Sequence, residues 1–245
     1  MSALERRYRR GLAEGRQVTG VFCCLDGFAT SHLLAAAGFD FLIFDRQHAA
    51  YTWPELEQLC FRVRSEGASP FIRVASTEEA ELNLALDLPV DGIVLPNLVS
   101  AEDTRRALSF CKFPPEGVRS LGNERHDAIW GAYSQPEPLV GMLVEHPGAV
   151  EELDEILQLA IDFVWVGAHD LSALMGLDPH EAFGPDGRAP ELEEAYQKIK
   201  ATAQKHGVVY WDAPGSPDAA VVFGGVDARM FSAAAEKALA QARGT

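Results

Sequence analysis

The chain alternates short apolar runs with longer amphipathic segments along its whole length, and this alternation is the feature that most constrains its fold. Apolar runs of about 4–8 residues predict buried strands, while apolar residues spaced about 3.6 positions apart predict helices. Strands that alternate with helices form parallel sheets, because each helix returns the chain to the same end of the sheet. We predict strands at 18–24, 41–44, 70–74, 92–95, 139–144, 163–166, 208–211 and 228–231.

The segments between these strands have the helical period. We predict helices at 30–37, 54–66, 77–86, 101–111, 149–160, 192–205, 217–223 and 233–243. Eight strand–helix pairs in 245 residues favour an α/β fold of the closed (β/α)8 (TIM barrel) type, which typically uses about 250 residues. The first strand is not followed by G-x-G-x-x-G, which argues against a dinucleotide-binding sheet. We predict one domain over residues 1–245.

The charge and hydropathy of the chain exclude several kinds of partner. There are 21 Lys and Arg against 36 Asp and Glu, a net charge of −15, which disfavours binding to nucleic acid or to an anionic membrane. No apolar run approaches the roughly 20 residues of a membrane-spanning helix, and the first 20 residues lack the apolar core of a secretory signal. The four cysteines have neither zinc-site nor C-x-x-C spacing, so we expect a cytoplasmic protein with reduced thiols.

Polar residues follow several of the predicted strands. In a (β/α)8 barrel the chemistry lies at the carboxyl ends of the strands, so these residues are the candidates for a site. Two carboxylates without a neighbouring Cys or His pair favour a hard cation such as Mg²⁺ or Mn²⁺. These residues are Asp45 to His48 at the end of the second predicted strand, Arg73 in the third, Glu145 after the fifth, 167–170 after the sixth and Asp212 after the seventh.

These residue types suit one kind of chemistry. An arginine supplies a permanent charge for an oxyanion or a carboxylate. His48 can transfer protons near neutral pH, and Asp45 could orient it. A metal, an arginine and a His–Asp pair together suit proton abstraction beside a carbonyl group, with the enolate stabilised by the metal. The residues alone therefore indicate metal-assisted enolate chemistry on a small oxo-acid.

Longer motifs resemble a known family. The most specific is G-x-x-D-L-S-x-x-M-G at 167–176, followed by P-P-x-G-x-R-x-x-G at 114–122. Further matches are A-G-F-D-F leading to D-x-x-H at 45–48, F-I-R at 71–73, L-D at 86–87 and V-E at 144–145. The chain thus resembles the class II, metal-dependent pyruvate aldolases of the HpcH/HpaI (hydroxyketoacid aldolase) type, over nearly its whole length.

The resemblance implies roles for individual residues. Glu145 and Asp170 would bind a divalent cation (Mg²⁺, Mn²⁺ or Co²⁺), which pyruvate would chelate. Arg73 would stabilise the enolate and the developing alkoxide. His48, supported by Asp45 or Asp87, would handle the proton. The turn formed by Gly167, Ala168, His169 and Asp170 would receive the substrate carboxylate at a helix N-terminus.

The resemblance also implies partners. The substrates would be pyruvate or hydroxypyruvate and an aldehyde, giving or cleaving 4-hydroxy-2-oxo acids. The family is commonly a hexamer built as a dimer of trimers, so we expect a homo-oligomer, a hexamer or a trimer. Residues 233–243 are the candidate for a C-terminal helix exchanged between subunits.

The sequence departs from the family pattern at Gln47, Leu143 and His169, and these departures leave the acceptor and the reaction type open. One alternative is an oxaloacetate-type decarboxylase or a specialised C–C lyase that uses the same enolate. Another is a non-catalytic barrel that binds an oxo-acid.

Several of the candidate residues have simpler structural interpretations. Asp45 could cap a turn, Asp87 could end a helix, Arg73 could form a structural ion pair, and Arg119 could hold the proline-rich loop. His126, Trp130 and Tyr133 could line the acceptor side of the site.

Overall fold

The computed structural model describes residues 6–122, 124–130, 136–184 and 187–244; Tyr133 and the side chains of His126 and Trp130 lie outside the described residues. The strands are β1 (Val18–Cys23), β2 (Phe41–Asp45), β3 (Ser69–Arg73), β4 (Gly92–Leu95), β5 (Leu139–Val144), β6 (Phe163–Val166), β7 (Phe183–Gly184), β8 (Gly187–Arg188), β9 (Val209–Asp212) and β10 (Val221–Val226).

The strand order shows the fold class. The order β1-β2-β3-β4-β5-β6-β9-β10 closes on itself, because β10 pairs in parallel with β1. The short strands β7 and β8 form a separate antiparallel pair. The predicted (β/α)8 barrel is confirmed.

Helices separate most of the strands. They are α1 (Arg7–Ala13), α2 (Phe28–Ala37), α3 (Trp53–Ser65), α4 (Glu79–Leu86), α5 (Ala101–Cys111), α6 (Glu124–Trp130), α7 (Pro147–Glu151), α8 (Leu153–Ile156), α9 (Ala168–Leu174), α10 (Pro190–His206) and α11 (Asp227–Arg243). The helix predicted at 149–160 is thus two shorter helices, α7 and α8. Among the described residues, no helix has both the length and the hydropathy needed to cross a lipid bilayer.

The helix ends follow local sequence signals. Ser100 precedes α5, and its hydroxyl accepts a hydrogen bond from the N–H of Asp103 at 3.1 Å. Glu55 accepts from the N–H of Thr52 at 2.8 Å at the start of α3. Gly38 ends α2 in the left-handed conformation with φ 109°. Polar oxygens at the start and glycine at the end satisfy backbone groups that a helix leaves unpaired.

The chain divides into two compact units, which we call unit one (residues 1–72 and 212–245) and unit two (residues 73–211). The single-domain organisation stays a prediction. In unit one, β1 pairs in parallel with β2 and β10. Tyr8 of α1 packs edge-on against Phe41 and Phe71, with ring centroids 5.2 and 5.1 Å away. These rings form an aromatic part of the core of unit one.

In unit two, the pairing of β4, β5 and β6 determines where the functional residues lie. The three strands are parallel and adjacent, with Leu95 opposite Met142 and Val144 opposite Val166. Parallel neighbours bring their carboxyl ends to the same edge of a sheet. The residues that follow these strands therefore lie at one edge of unit two.

The eighth strand was predicted wrongly. It is β10, and the residues predicted as a strand at 228–231 belong to α11, while the helix predicted at 217–223 overlaps β10. The pair Gly224 and Gly225 interrupts the apolar pattern of this strand. Glycine is needed there, because a Cβ on Gly224 would lie 2.5 Å from Cε1 of Phe39.

Candidate active site

Glu145 is the more buried of the two predicted metal ligands. It follows β5 and only 3% of it is exposed. One carboxylate oxygen, Oε1, accepts a hydrogen bond from the backbone N–H of Asn97 at 2.6 Å. Burial raises the pKa of Glu145; the hydrogen bond from Asn97 lowers it, the charge of Asp170 raises it and the charge of Arg73 lowers it. The two carboxyl groups and the guanidinium therefore lie close enough to influence one another.

Asp170 lies in the first turn of α9, directly after β6. The residue before this helix, Gly167, is packed against Glu145: a Cβ at Gly167 would lie 2.6 Å from Oε2 of Glu145. Any other side chain would displace the carboxylate. Ala168 and His169 are the first residues of the helix, and His169 is exposed.

Arg73 is the last residue of β3 and is 9% exposed. The next residue, Val74, donates its N–H to the carbonyl oxygen of Val94 in β4 at 3.2 Å, which fixes the backbone beside Arg73. A largely buried guanidinium keeps its charge, so it provides a permanent positive charge beside Glu145. Unit two thus brings Arg73, Glu145, Gly167 and Asp170 together.

Asp87 and Arg119 form an ion pair in unit two. Asp87 is the residue that ends α4, and its Oδ1 accepts from Nη2 of Arg119 at 2.7 Å. Arg119 is 5% exposed and its guanidinium lies 4.6 Å from the ring centroid of Phe113. This contact agrees with the alternative in which Arg119 holds the proline-rich loop and Asp87 ends a helix. A second role of Asp87 in proton transfer stays a prediction.

Asp45 and His48 lie in unit one. Oδ1 of Asp45 accepts from the backbone N–H groups of Gln47 and His48, at 3.1 and 3.3 Å, and the thiol of Cys24 lies 3.8 Å from Oδ2. Asp45 therefore caps the turn that carries His48, the alternative raised by the sequence. His48 itself is exposed. Its cooperation with Asp45 in proton transfer stays a prediction.

Comparison with known proteins decides the family. The family model described as "HpcH/HpaI aldolase/citrate lyase" matches residues 19–223. The chain belongs to this family. A curated relative is the 2-keto-3-deoxy-L-rhamnonate aldolase of Klebsiella pneumoniae, which is 28% identical over 97% of this chain and 93% of the relative.

Two solved structures have a fold similar to that of this chain. An HpcH/HpaI aldolase from Desulfitobacterium hafniense is 26% identical, with a TM-score of 0.78 over 95% of this chain and 96% of that one. The citrate lyase beta subunit from M. tuberculosis, solved with oxaloacetate and magnesium, is 16% identical, with a TM-score of 0.55 over 86% of this chain and 91% of that one. This last likeness concerns the fold alone.

The donor atoms of this HpcH/HpaI chain fit a divalent cation. Glu145 and Asp170 offer hard oxygen ligands, and burial of Glu145 disfavours its charge unless a positive charge compensates it. No group of three or more His, Cys, Asp or Glu arranged to hold a metal occurs among the described residues. A cation at the two carboxylates would therefore take its remaining ligands from water or substrate.

Sequence reasoning missed two features of this region. Asn97 supplies the hydrogen bond to Glu145, and its only sequence signal is an asparagine that follows Pro96 at the end of a strand. His146, next to Glu145, accepts from the N–H of Gly148 through Nδ1 at 3.0 Å and so caps α7. It therefore has a structural contact of its own.

Proposed function

We propose that the protein is a divalent-metal-dependent aldolase, a carbon–carbon lyase that joins pyruvate or hydroxypyruvate to an aldehyde, or cleaves the resulting 4-hydroxy-2-oxo acid. The observation that carries this proposal is the cluster of a buried Glu145, Asp170 and Arg73 at one edge of unit two. The family membership and the aldolase activity of the Klebsiella relative support it.

Glu145 and Asp170 would hold the cation. When bound, a divalent ion would supply positive charge that stabilises negative charge developing on a keto oxygen. Glu145 suits this role because it is buried and Asn97 holds its Oε1 by a hydrogen bond. Asp170 suits it because it is exposed to an incoming ligand while its backbone belongs to α9.

Arg73 would bind and orient the oxo-acid. Its guanidinium would hydrogen-bond to the oxygen that gains negative charge when pyruvate loses a methyl proton, and then to the alkoxide oxygen of the former aldehyde. The turn from Gly167 to Asp170 would bind the carboxylate of the substrate. Gly167 offers no side chain to accept from the first N–H groups of α9.

His48 would move the proton. In the condensation direction it would accept a proton from the methyl carbon of pyruvate, and the nucleophilic carbon would then form the new bond to the aldehyde carbon. His48 would then return this proton to the alkoxide to give the 4-hydroxy group, so that atoms and charge balance over the reaction. Asp45 would keep His48 in place through the turn that it caps.

Exchange of the pyruvate methyl protons with D₂O, followed by NMR, tests this proposal before any acceptor aldehyde is known. We expect exchange with Mg²⁺, Mn²⁺ or Co²⁺ and none after chelation. Glu145→Gln and Arg73→Ala should lower the rate by about 100-fold or more, the size of effect expected for a lost transition-state charge contact. Arg105→Ala, at an exposed arginine of α5, serves as the control and should match the unmodified protein.

A loss of only a few-fold in both site variants, or exchange that survives chelation, would contradict the proposal. Release of CO₂ from oxaloacetate without any aldol turnover would instead indicate the decarboxylase alternative.

A further inference from the structure

The loop between β4 and α5 has an unusual backbone conformation. Among the residues that the structure describes, Asn97 is the one non-glycine residue with a positive φ, 57°. Left-handed conformations are costly for most side chains and are tolerated by asparagine. A conformation of this kind in an exposed residue suggests that it serves a neighbouring group.

The neighbouring group is Glu145. Pro96 has no N–H, so Asn97 carries the first backbone donor after β4. In the left-handed conformation this N–H donates to Oε1 of Glu145 at 2.6 Å. The contact with Glu145 comes from the backbone N–H of Asn97, while the side chain of Asn97 is exposed.

The rest of the loop is fastened to the segment that follows β5. The N–H of Ala101, at the start of α5, donates to Oε2 of Glu152 at 2.8 Å. The carbonyl oxygen of Val99 lies 2.8 Å from where a Cβ of Gly148 would be. The loop is therefore held beyond Asn97, and a change of φ at residue 97 would turn its N–H away without releasing the loop.

The two oxygens of Glu145 are thus constrained by different backbone groups. Asn97 donates to Oε1, and the missing side chain of Gly167 leaves room for Oε2. A carboxylate fixed in this way is preorganised, so the side chain of Glu145 loses less conformational entropy when a cation binds.

We propose that Asn97 is a positioning residue for the metal ligand Glu145: its left-handed backbone aims an N–H at Oε1 and so holds the carboxylate ready for a divalent cation. This inference rests on the proposed function, because it takes Glu145 to be a metal ligand. The side chain of residue 97 matters only through the backbone conformation that it allows.

The test compares Asn97→Gly with Asn97→Val. Glycine adopts the left-handed conformation freely, whereas the β-branched valine resists it. We expect Asn97→Gly to bind Mn²⁺ within twofold of the unmodified protein and Asn97→Val to bind it about tenfold more weakly. The measurement is the titration of free Mn²⁺ by electron paramagnetic resonance, which does not depend on activity.

Asn83→Val is the matched control, because it makes the same substitution in helix α4, and it should leave Mn²⁺ affinity unchanged. Thermal unfolding of each metal-free variant shows whether it is folded, and Asn97→Ala replaces Asn97→Val if the latter does not fold.

The affinities for Mn²⁺ distinguish a failure of this inference from a failure of the proposed function. Equal affinity of Asn97→Val and the unmodified protein would overturn the inference. Equal weakening by Gly and Val would also overturn it, because the amide side chain would then be responsible. Failure of the unmodified protein to bind Mn²⁺ would contradict the proposed function itself.

Discussion

Gly167 and Glu145 lie in such close contact that only a hydrogen at Cα of Gly167 leaves room for the carboxylate. A Cβ there would lie 2.5 Å from Cβ of Glu145 and 2.6 Å from its Oε2. A Cβ atom does not approach a non-bonded atom this closely, so any side chain at residue 167 would force Glu145 to move.

Gly167→Ala should therefore weaken the metal site. Because the displaced carboxylate no longer lies where Asp170 can share a cation with it, we expect Mn²⁺ affinity and pyruvate proton exchange to fall by about tenfold or more. Gly122→Ala is the control, since the nearest atom to a Cβ there is a serine hydroxyl at 3.6 Å. Unchanged Mn²⁺ affinity in Gly167→Ala would show that the position of Glu145 does not matter for the metal.

The ion pair between Asp87 and Arg119 should stabilise the loop that begins at Phe113. Asp87→Asn leaves the guanidinium of Arg119, which is 5% exposed, without its partner charge, so it should lower the free energy of unfolding by about 1–3 kcal/mol. Arg119→Met leaves a carboxylate that is 40% exposed and can be hydrated, so it should cost less. Urea unfolding of both single variants and of the double variant gives the coupling free energy between the two side chains. Additive effects would contradict a direct interaction.

The pH dependence of stability should reveal the burial of Glu145. Burial raises its pKa above the ordinary value, so the metal-free folded protein binds this proton more tightly than the unfolded chain does. The contribution of the protonated carboxyl group to the free energy of unfolding is fully present below the ordinary pKa of about 4.3. It is lost as the pH rises through the raised pKa of Glu145. Glu145→Gln should remove this loss.

Urea unfolding of chelator-treated protein at several pH values above about 4.3 measures this effect. The free energy of unfolding should fall less steeply with rising pH in Glu145→Gln than in the unmodified protein. Glu151→Gln, at an exposed residue, is the control. Identical slopes for all three proteins would mean that Glu145 titrates normally.

Helix α11 should take part in self-association, as the family resemblance predicts. Nearly all of its side chains are exposed, including Phe231, of which 70% is accessible. Exposed apolar surface of this kind is typical of an interface. We expect light scattering to give a mass that is a multiple of 26.7 kDa, and Phe231→Asp to lower it. A monomeric unmodified protein would contradict this prediction.

Most of the barrel could be predicted from the sequence because its strands are short apolar runs. The strands at 92–95, 139–144 and 163–166 were predicted to the residue. The eighth strand was missed because Gly224 and Gly225 break its apolar pattern, and the reason for a glycine there, contact with Phe39, appears only in three dimensions.

The positions of several candidate site residues in the fold were predictable from motifs, and their roles stay predictions. Arg73 ends β3, Glu145 follows β5 and Asp170 lies in the helix after β6, and the parallel sheet brings them to one edge. Asn97 was not predictable, because its contribution is a backbone N–H whose direction depends on φ. The partner of Asp87 was also unpredictable, since Arg119 is 32 residues away in sequence.

The most direct test of the account is an anomalous difference map from crystals grown with Mn²⁺ and pyruvate. We predict one Mn²⁺ peak per chain, bound directly by carboxylate oxygens of both Glu145 and Asp170, with pyruvate beside Arg73. A peak bound by neither carboxylate, or the absence of any peak at these residues in a crystal that holds Mn²⁺ elsewhere, would contradict it.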